Sequence, residues 1–211
     1  NPGAEELGRI YHAQLAVNAT PGEFLRAVAA LPAADLGQAE GHEVPDAAHA
    51  DYRAWTDAPP VHPGPLQLGT VMVQLREQLP ADAILTNGAG NYAIWLHRFY
   101  RFRGYGTQLA PTSGSMGYGL PAAVAASLRH PERTVVCFAG DGCFQMTGQE
   151  LGTAVQCGAR LVVLVVDNGM YGTIRMHQER SYPGRVSATE LVNPDFAALA
   201  AAYGAHGERV T

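Results

Sequence analysis

"TVVCFAGDGCFQMTGQELGTAVQCGARLVVLVVDN", residues 134–168, decides the fold. Its two ends, "TVVCFA" and "RLVVLVVD", are apolar on successive positions and rich in β-branched residues, so each reads as a strand buried on both faces. Between them "GQELGTAVQC" has the apolar spacing of a helix. A strand, a helix and a second strand over this length form the crossover that joins parallel neighbours. At the tip of the first strand Asp141 stands between Gly140 and Gly142. With no side chains beside it, its carboxylate can approach another group closely.

The same alternation extends outward. Upstream, "LGTVMVQLREQL" is helical, "AILT" is a short strand, and "NYAIWLHRFYRF" and "GLPAAVAASLRH" are helices. Downstream, "NPDFAALAAAYG" is a helix with Asn193 as its expected N-cap and Gly204 as its stop. The expected fold is therefore three-layer α/β/α around a mainly parallel sheet. Before residue 65 the texture differs. Residues 1–35 form a strand-poor piece ending in a helix from about Pro21 to Leu31, with too few apolar positions for a core of its own. Residues 36–64, rich in Ala, Pro, His and Asp, read as a linker or a segment lying across a surface. The α/β domain occupies residues 65–211.

Composition excludes several classes. A net charge of −5 argues against a nucleic-acid binder, and no apolar run reaches membrane-spanning length. Cys137, Cys143 and Cys157 have neither disulfide-framework nor metal-finger spacing, which points to a reducing, cytoplasmic setting. Cys137 and Cys157 are expected to be small core residues.

In a parallel sheet, ligands bind where strand ends enter helices. The three loops in question are "TNGAGNYA", "GDGCFQMTG" and "DNGMYGT", all rich in glycine and on one sheet edge. Helix N-termini there suit an anion such as phosphate. "GAGNYA", residues 88–93, also fits a dinucleotide fingerprint, but that needs an acid about 20 residues on. No acidic residue occurs between Asp82 and Glu132, so an NAD-dependent reductase is the weaker alternative. The phosphate-loop pattern ending in Lys-Ser/Thr is absent.

The crossover puts Asp141 and Asn168 on the same sheet edge. A carboxylate and an amide oxygen, with the Met170 backbone carbonyl two residues on, are hard donors suited to Mg²⁺ shared with phosphate oxygens. Taken singly, Asp141 reads as a helix cap and Asn168 as a turn residue; as a spaced pair they favour the metal.

"GDG", the crossover and then "DN" before "GMYG" resemble the cofactor motif of thiamin-diphosphate-dependent 2-oxo-acid enzymes, in the acetolactate synthase and benzoylformate decarboxylase branch. "SGSMGYGLPAAVAAS" and "GNYAIWLHR" carry the same resemblance independently, and together they cover residues 65–211. The opening "NPGAEELGRI" resembles the end of that family's central domain, so residues 1–35 are expected to be a remnant of it and the chain to stop short of the family's last strand.

The resemblance implies thiamin diphosphate and Mg²⁺ as cofactors. Asp141, Asn168 and the Met170 carbonyl would hold the metal. Gly142, Cys143, Tyr171 and Gly172 would meet the diphosphate, with Gly90 and Asn91 closing its other side. Met116 matches the residue that props the cofactor in a bent shape, and Gly114 the carbonyl that accepts a bond from its aminopyrimidine. Cys143 stands where a serine is common, and Asp167 where an Asn-Asn pair is frequent. The implied substrate is a 2-oxo acid, decarboxylated and carried to a proton, an oxidant or a second carbonyl. Thr173 and His177 occupy positions that hold a methionine and a tryptophan in acetolactate synthases, which leaves decarboxylase, carboligase and oxidase open. His177 is either a polar substrate contact or a solvated helix residue, the second reading favoured.

In the family the activating glutamate lies on a pyrimidine-binding domain, usually of a neighbouring subunit, and no segment here matches it. The implied parent is a homodimer or homotetramer. The chain alone is expected to bind cofactor without turning over, and a non-catalytic thiamin-diphosphate-binding module is the other reading.

Overall fold

The computed structural model describes residues 3–32 and 43–211. The chain divides into two units, Asn1–Ala50 and Asp51–Thr211. In the first, α1 (Pro21–Ala29) begins where proline sits in the first turn. Thr20 and Glu23 cap each other there, the Glu23 N–H donating to the Thr20 hydroxyl and Thr20 N–H to the Glu23 carboxylate. None of its residues is buried, as its sparse apolar positions require.

Within the stretch read as a linker, residues 36–42 lie outside the described residues, and α2 (Glu43–Asp57) follows. Ala47, Ala48, Ala50 and Ala54 explain the helix. Alanine favours helix strongly yet contributes little apolar periodicity for a sequence reading to detect. Its last two turns, from Asp51, belong to the second unit. There the Arg98 guanidinium lies over the Trp55 ring, 4.1 Å from its centroid, and Asp57 pairs with Arg76 and Arg101.

The second unit is built on a parallel sheet of four strands, β1 (Ile84–Asn87), β2 (Gln108–Leu109), β3 (Val135–Gly140) and β4 (Val162–Val166), in the order β2-β1-β3-β4. β2 is two residues long, too short for any pattern to announce. β1 pairs with β3 from Ile84–Val135 to Asn87–Phe138, and β3 with β4 from Val136–Val162 to Gly140–Val166. Strand alternation sorts the core into two layers. Val135, Cys137 and Ala139 face one side, with Leu120, Val124 and Leu151 from α5 (Gly119–Arg129) and α7 (Glu150–Gln156). Val136 and Phe138 face the other, with Met72, Leu96 and Phe99 from α3 (Leu68–Gln78) and α4 (Tyr92–Phe99). The three-layer α/β/α architecture is thus realised.

Three details differ from the sequence reading. β4 is less buried than its apolar run implies, because it pairs only with β3 among the described strands, and Val162 is exposed. Cys157 caps α7 on the surface rather than joining the core. The N-cap of α9 (Phe196–Ala202) is Asp195, not Asn193; its carboxylate accepts the Ala198 N–H at 2.9 Å. Pro194 keeps Asn193 out of the helical turn. Gly204 ends that helix as expected, at φ +84°.

Candidate functional site

All three glycine-rich loops leave the carboxyl ends of the strands and meet around one cavity of about 220 Å³. Gly90 and Asn91 line it from the loop after β1. Asp141, Gly142 and Cys143 line it from α6 (Asp141–Gln145), directly after β3, and Asn168, Met170, Tyr171 and Gly172 from the loop after β4. Gly114 and Met116 reach it from the segment before α5. His177 is not among the lining residues. It lies on the exposed side of α8 (Gly172–Ser181), with Nδ1 2.9 Å from Arg180 Nη2.

Asp141 is buried, 3% exposed. Its Oδ1 accepts the Gly142 N–H at 2.8 Å, and its Oδ2 accepts the Gly169 N–H at 2.8 Å and Asn193 Nδ2 at 2.7 Å. Gly169 adopts φ +65°, a left-handed conformation that turns its N–H back onto Asp141. Asn168 Oδ1 accepts the Met170 N–H at 3.2 Å, which sets the amide oxygen at the tip of a turn. Asp141, Asn168 and Met170 therefore line the cavity from adjacent strand ends, and the Met170 carbonyl accepts the Gly172 N–H at 2.9 Å.

Across the cavity, Asn91 is tied to Thr173. Its N–H donates to Thr173 Oγ at 2.9 Å, and the Thr173 hydroxyl donates to Asn91 Oδ1 at 3.0 Å. Tyr92 organises the floor: its hydroxyl accepts the Gly88 N–H at 3.0 Å and donates to Cys143 Sγ at 3.3 Å. The Gly117 N–H donates to the same sulfur at 3.0 Å. Burial, reinforced by Cys143, pushes the Tyr92 hydroxyl well above the ordinary phenol range, so it stays protonated. Cys143 thus joins the loops after β1 and β3 to the Met116–Gly117 segment. The sequence reading missed Tyr92 and Asn193; Tyr92 sat unremarked in the first helical turn after a glycine-rich loop.

Bare backbone is built into this floor. A methyl group at Gly142 would lie 2.5 Å from the Tyr171 ring, and one at Gly140 2.7 Å from the Tyr92 ring. Among the described residues, no group of three His, Cys, Asp or Glu side chains forms a metal cluster. The oxygen donors among the lining residues Asp141, Asn168 and Met170 are a carboxylate, an amide oxygen and a backbone carbonyl. That set fits a hard cation sharing its shell with phosphate oxygens, and it fits no soft metal. The residues present suit a magnesium-bound diphosphate.

Residues 88–211 match the family model described as "Thiamine pyrophosphate enzyme, C-terminal TPP binding domain". The matched span includes "GAGNYA", the loop that also fitted a dinucleotide fingerprint. The chain is 38% identical over 153 residues to the acetolactate synthase isozyme 2 large subunit of Escherichia coli (strain K12), covering 71% of this chain and 28% of that protein. It is 41% identical over 133 residues to an acetolactate synthase of Arthrospira platensis, covering 62% and 23%. The thiamine diphosphate-dependent 4-hydroxybenzoylformate decarboxylase of Rhodococcus jostii RHA1 superposes with a TM-score of 0.63 at 30% identity, over 69% of this chain and 27% of that one. The chain therefore spans about a quarter of the length of the curated relatives it matches.

Proposed function

The chain belongs to the thiamine pyrophosphate enzymes, carrying their C-terminal TPP-binding domain, and from that premise we propose that its cavity holds the cofactor's diphosphate through one Mg²⁺. In this reading the Asp141 carboxylate, the Asn168 amide oxygen and the Met170 carbonyl are the protein's ligands to the cation. Gly142, Cys143 and Gly172 border the diphosphate beside Tyr171, with Gly90 and Asn91 on the opposite wall. Met116 and Gly114 orient the rest of the cofactor, Met116 as an apolar prop and Gly114 through its carbonyl. One observation carries the reading. Loops from three parallel strands surround one cavity, and two of them bring a carboxylate and an amide side chain, Asp141 and Asn168, to its lining.

We extend the proposal to the parent enzyme, acting on a 2-oxo acid by decarboxylation, carboligation or both. The relatives named as acetolactate synthases and as a 4-hydroxybenzoylformate decarboxylase support that substrate class. When bound, the cofactor supplies the electron-accepting ring that such a decarboxylation requires. The chain's own residues bind and orient it. Asp141 is the sole carboxylate among the lining residues and is committed to the cation, so the proton-moving acid comes from elsewhere. A glutamate on a pyrimidine-binding domain of a neighbouring subunit fills that role in this proposal. It makes the parent a homodimer or homotetramer and the isolated chain inactive.

Calorimetric titration with thiamin diphosphate, with and without Mg²⁺, tests the site. The expected result is binding that requires Mg²⁺ and is lost in Asp141→Ala. Binding indifferent to Mg²⁺, or retained by that variant, overturns the assignment.

A further inference from the structure

Asn193 does not line the cavity and does not cap α9, yet its side chain is fully engaged. Its Nδ2 donates to Asp141 Oδ2 at 2.7 Å and to Asp167 Oδ1 at 2.7 Å, while its Oδ1 accepts Gln145 Nε2 at 2.8 Å. Carboxylates only accept, so a single orientation of the amide satisfies all three partners. Backbone pairing delivers it there. The Tyr171 N–H donates to the Thr189 carbonyl and the Leu191 N–H to the Gly169 carbonyl, each at 2.8 Å, laying residues 189–191 antiparallel to the metal loop.

Counting acceptor sites then sharpens the role of Asp141. An ionised carboxylate has about four, two on each oxygen. Oδ2 uses both of its own, for Gly169 and Asn193, whereas Oδ1 uses one, for Gly142. The remaining site is on Oδ1. Neither Asp141 nor Asp167 is paired with a basic side chain among the described residues. Two carboxylates that share one neutral amide, one of them buried, call for a cation.

We propose that Asn193 is a positioning residue of the cation site: it saturates Asp141 Oδ2, fixes the plane of that carboxylate, and leaves Oδ1 as the single coordinating atom with the Asp167 charge held beside it. Gln145 acts one step further out, holding the Asn193 amide against a flip. This inference rests on the reading of Asp141 as a cation ligand.

The test uses Mn²⁺ as the probe, read by the electron-spin-resonance signal of the free ion, on the full 211-residue chain with thiamin diphosphate present. Asn193→Ala is expected to weaken Mn²⁺ binding about ten- to hundredfold, as loss of a ligand-orienting partner does. Gln145→Leu, at an exposed position, is expected to weaken it about fivefold, the size of one neutral hydrogen bond. The thermal midpoint of the metal-free Gln145→Leu chain should fall by no more than about 2–4 °C, the cost of that one bond, so a loss of Mn²⁺ affinity in the still-folded chain reports positioning rather than unfolding. Wild-type Mn²⁺ affinity in Gln145→Leu, or in a folded Asn193→Ala, overturns the positioning role and leaves the site reading standing. Absence of Mn²⁺ binding by the wild-type chain, or equal binding by Asp141→Ala, overturns both.

Discussion

Tyr92→Phe removes one oxygen atom and isolates what that atom does. The ring stays, so its contact with Phe138, 5.5 Å between centroids, and its cover over Gly140 are kept. What disappears is the acceptor for the Gly88 N–H and a donor to Cys143 Sγ. Gly88 is buried, so its N–H finds no replacement in water. Leaving a buried donor unpaired costs about 1–3 kcal/mol. Cys143 loses little, because a sulfur is a weak acceptor and the Gly117 N–H remains on it. The expected destabilisation is about 2 kcal/mol, a fall of about 4–8 °C in the thermal midpoint of a unit this size. Urea unfolding of wild type, Tyr92→Phe, Cys143→Ala and the double variant measures it. The Tyr92→Phe cost should persist nearly unchanged in the Cys143→Ala background, since the orphaned Gly88 N–H carries it. A loss under about 0.5 kcal/mol in the single variant, or one that vanishes in the Cys143→Ala background, would refute the reasoning.

Gly142→Ala would set a methyl 2.5 Å from the Tyr171 ring and drive that ring into the cavity; thiamin diphosphate affinity should fall about tenfold, equivalent to ~1.4 kcal/mol, and an unchanged titration would count against the bare-backbone floor. Burial pushes the Cys137 thiol up to about 12. Above an unfolded value of roughly 8.5 the unfolded chain releases a proton that the folded chain keeps, so stability falls as pH rises, by up to ~1.4 kcal/mol per pH unit. Urea unfolding between pH 8 and 10 should show that fall flattened in Cys137→Ala relative to wild type. Asp195→Ala should cost about 1 kcal/mol of unfolding free energy as a lost N-cap, measured by the same unfolding curves; a neutral result would return the cap to another residue.

Much of this molecule was legible in its residues. Strand runs such as "TVVCFA" and "RLVVLVVD" announce themselves because a parallel strand buries both faces, and helices between them fix the direction of every strand. Direction fixes the edge on which loops emerge, so Gly90, Asp141, Asn168 and Tyr171 could be gathered before any coordinate existed. Other features left no pattern. β2 is two residues long, and α2 is a helix by alanine content, with too little apolar periodicity to register.

The sequence alone determined the order of strands and helices, the glycine-flanked acid at a strand tip and the oxygen donors that share its edge, because these depend on local periodicity and chain connectivity. Only the tertiary structure decided which oxygen of Asp141 stays open, that Tyr92 and Gly117 meet on Cys143, and that Asn193 bridges two carboxylates rather than capping a helix. Those contacts join residues between 26 and 52 positions apart. Their partners are set by three-dimensional packing, and no spacing rule along the chain encodes them.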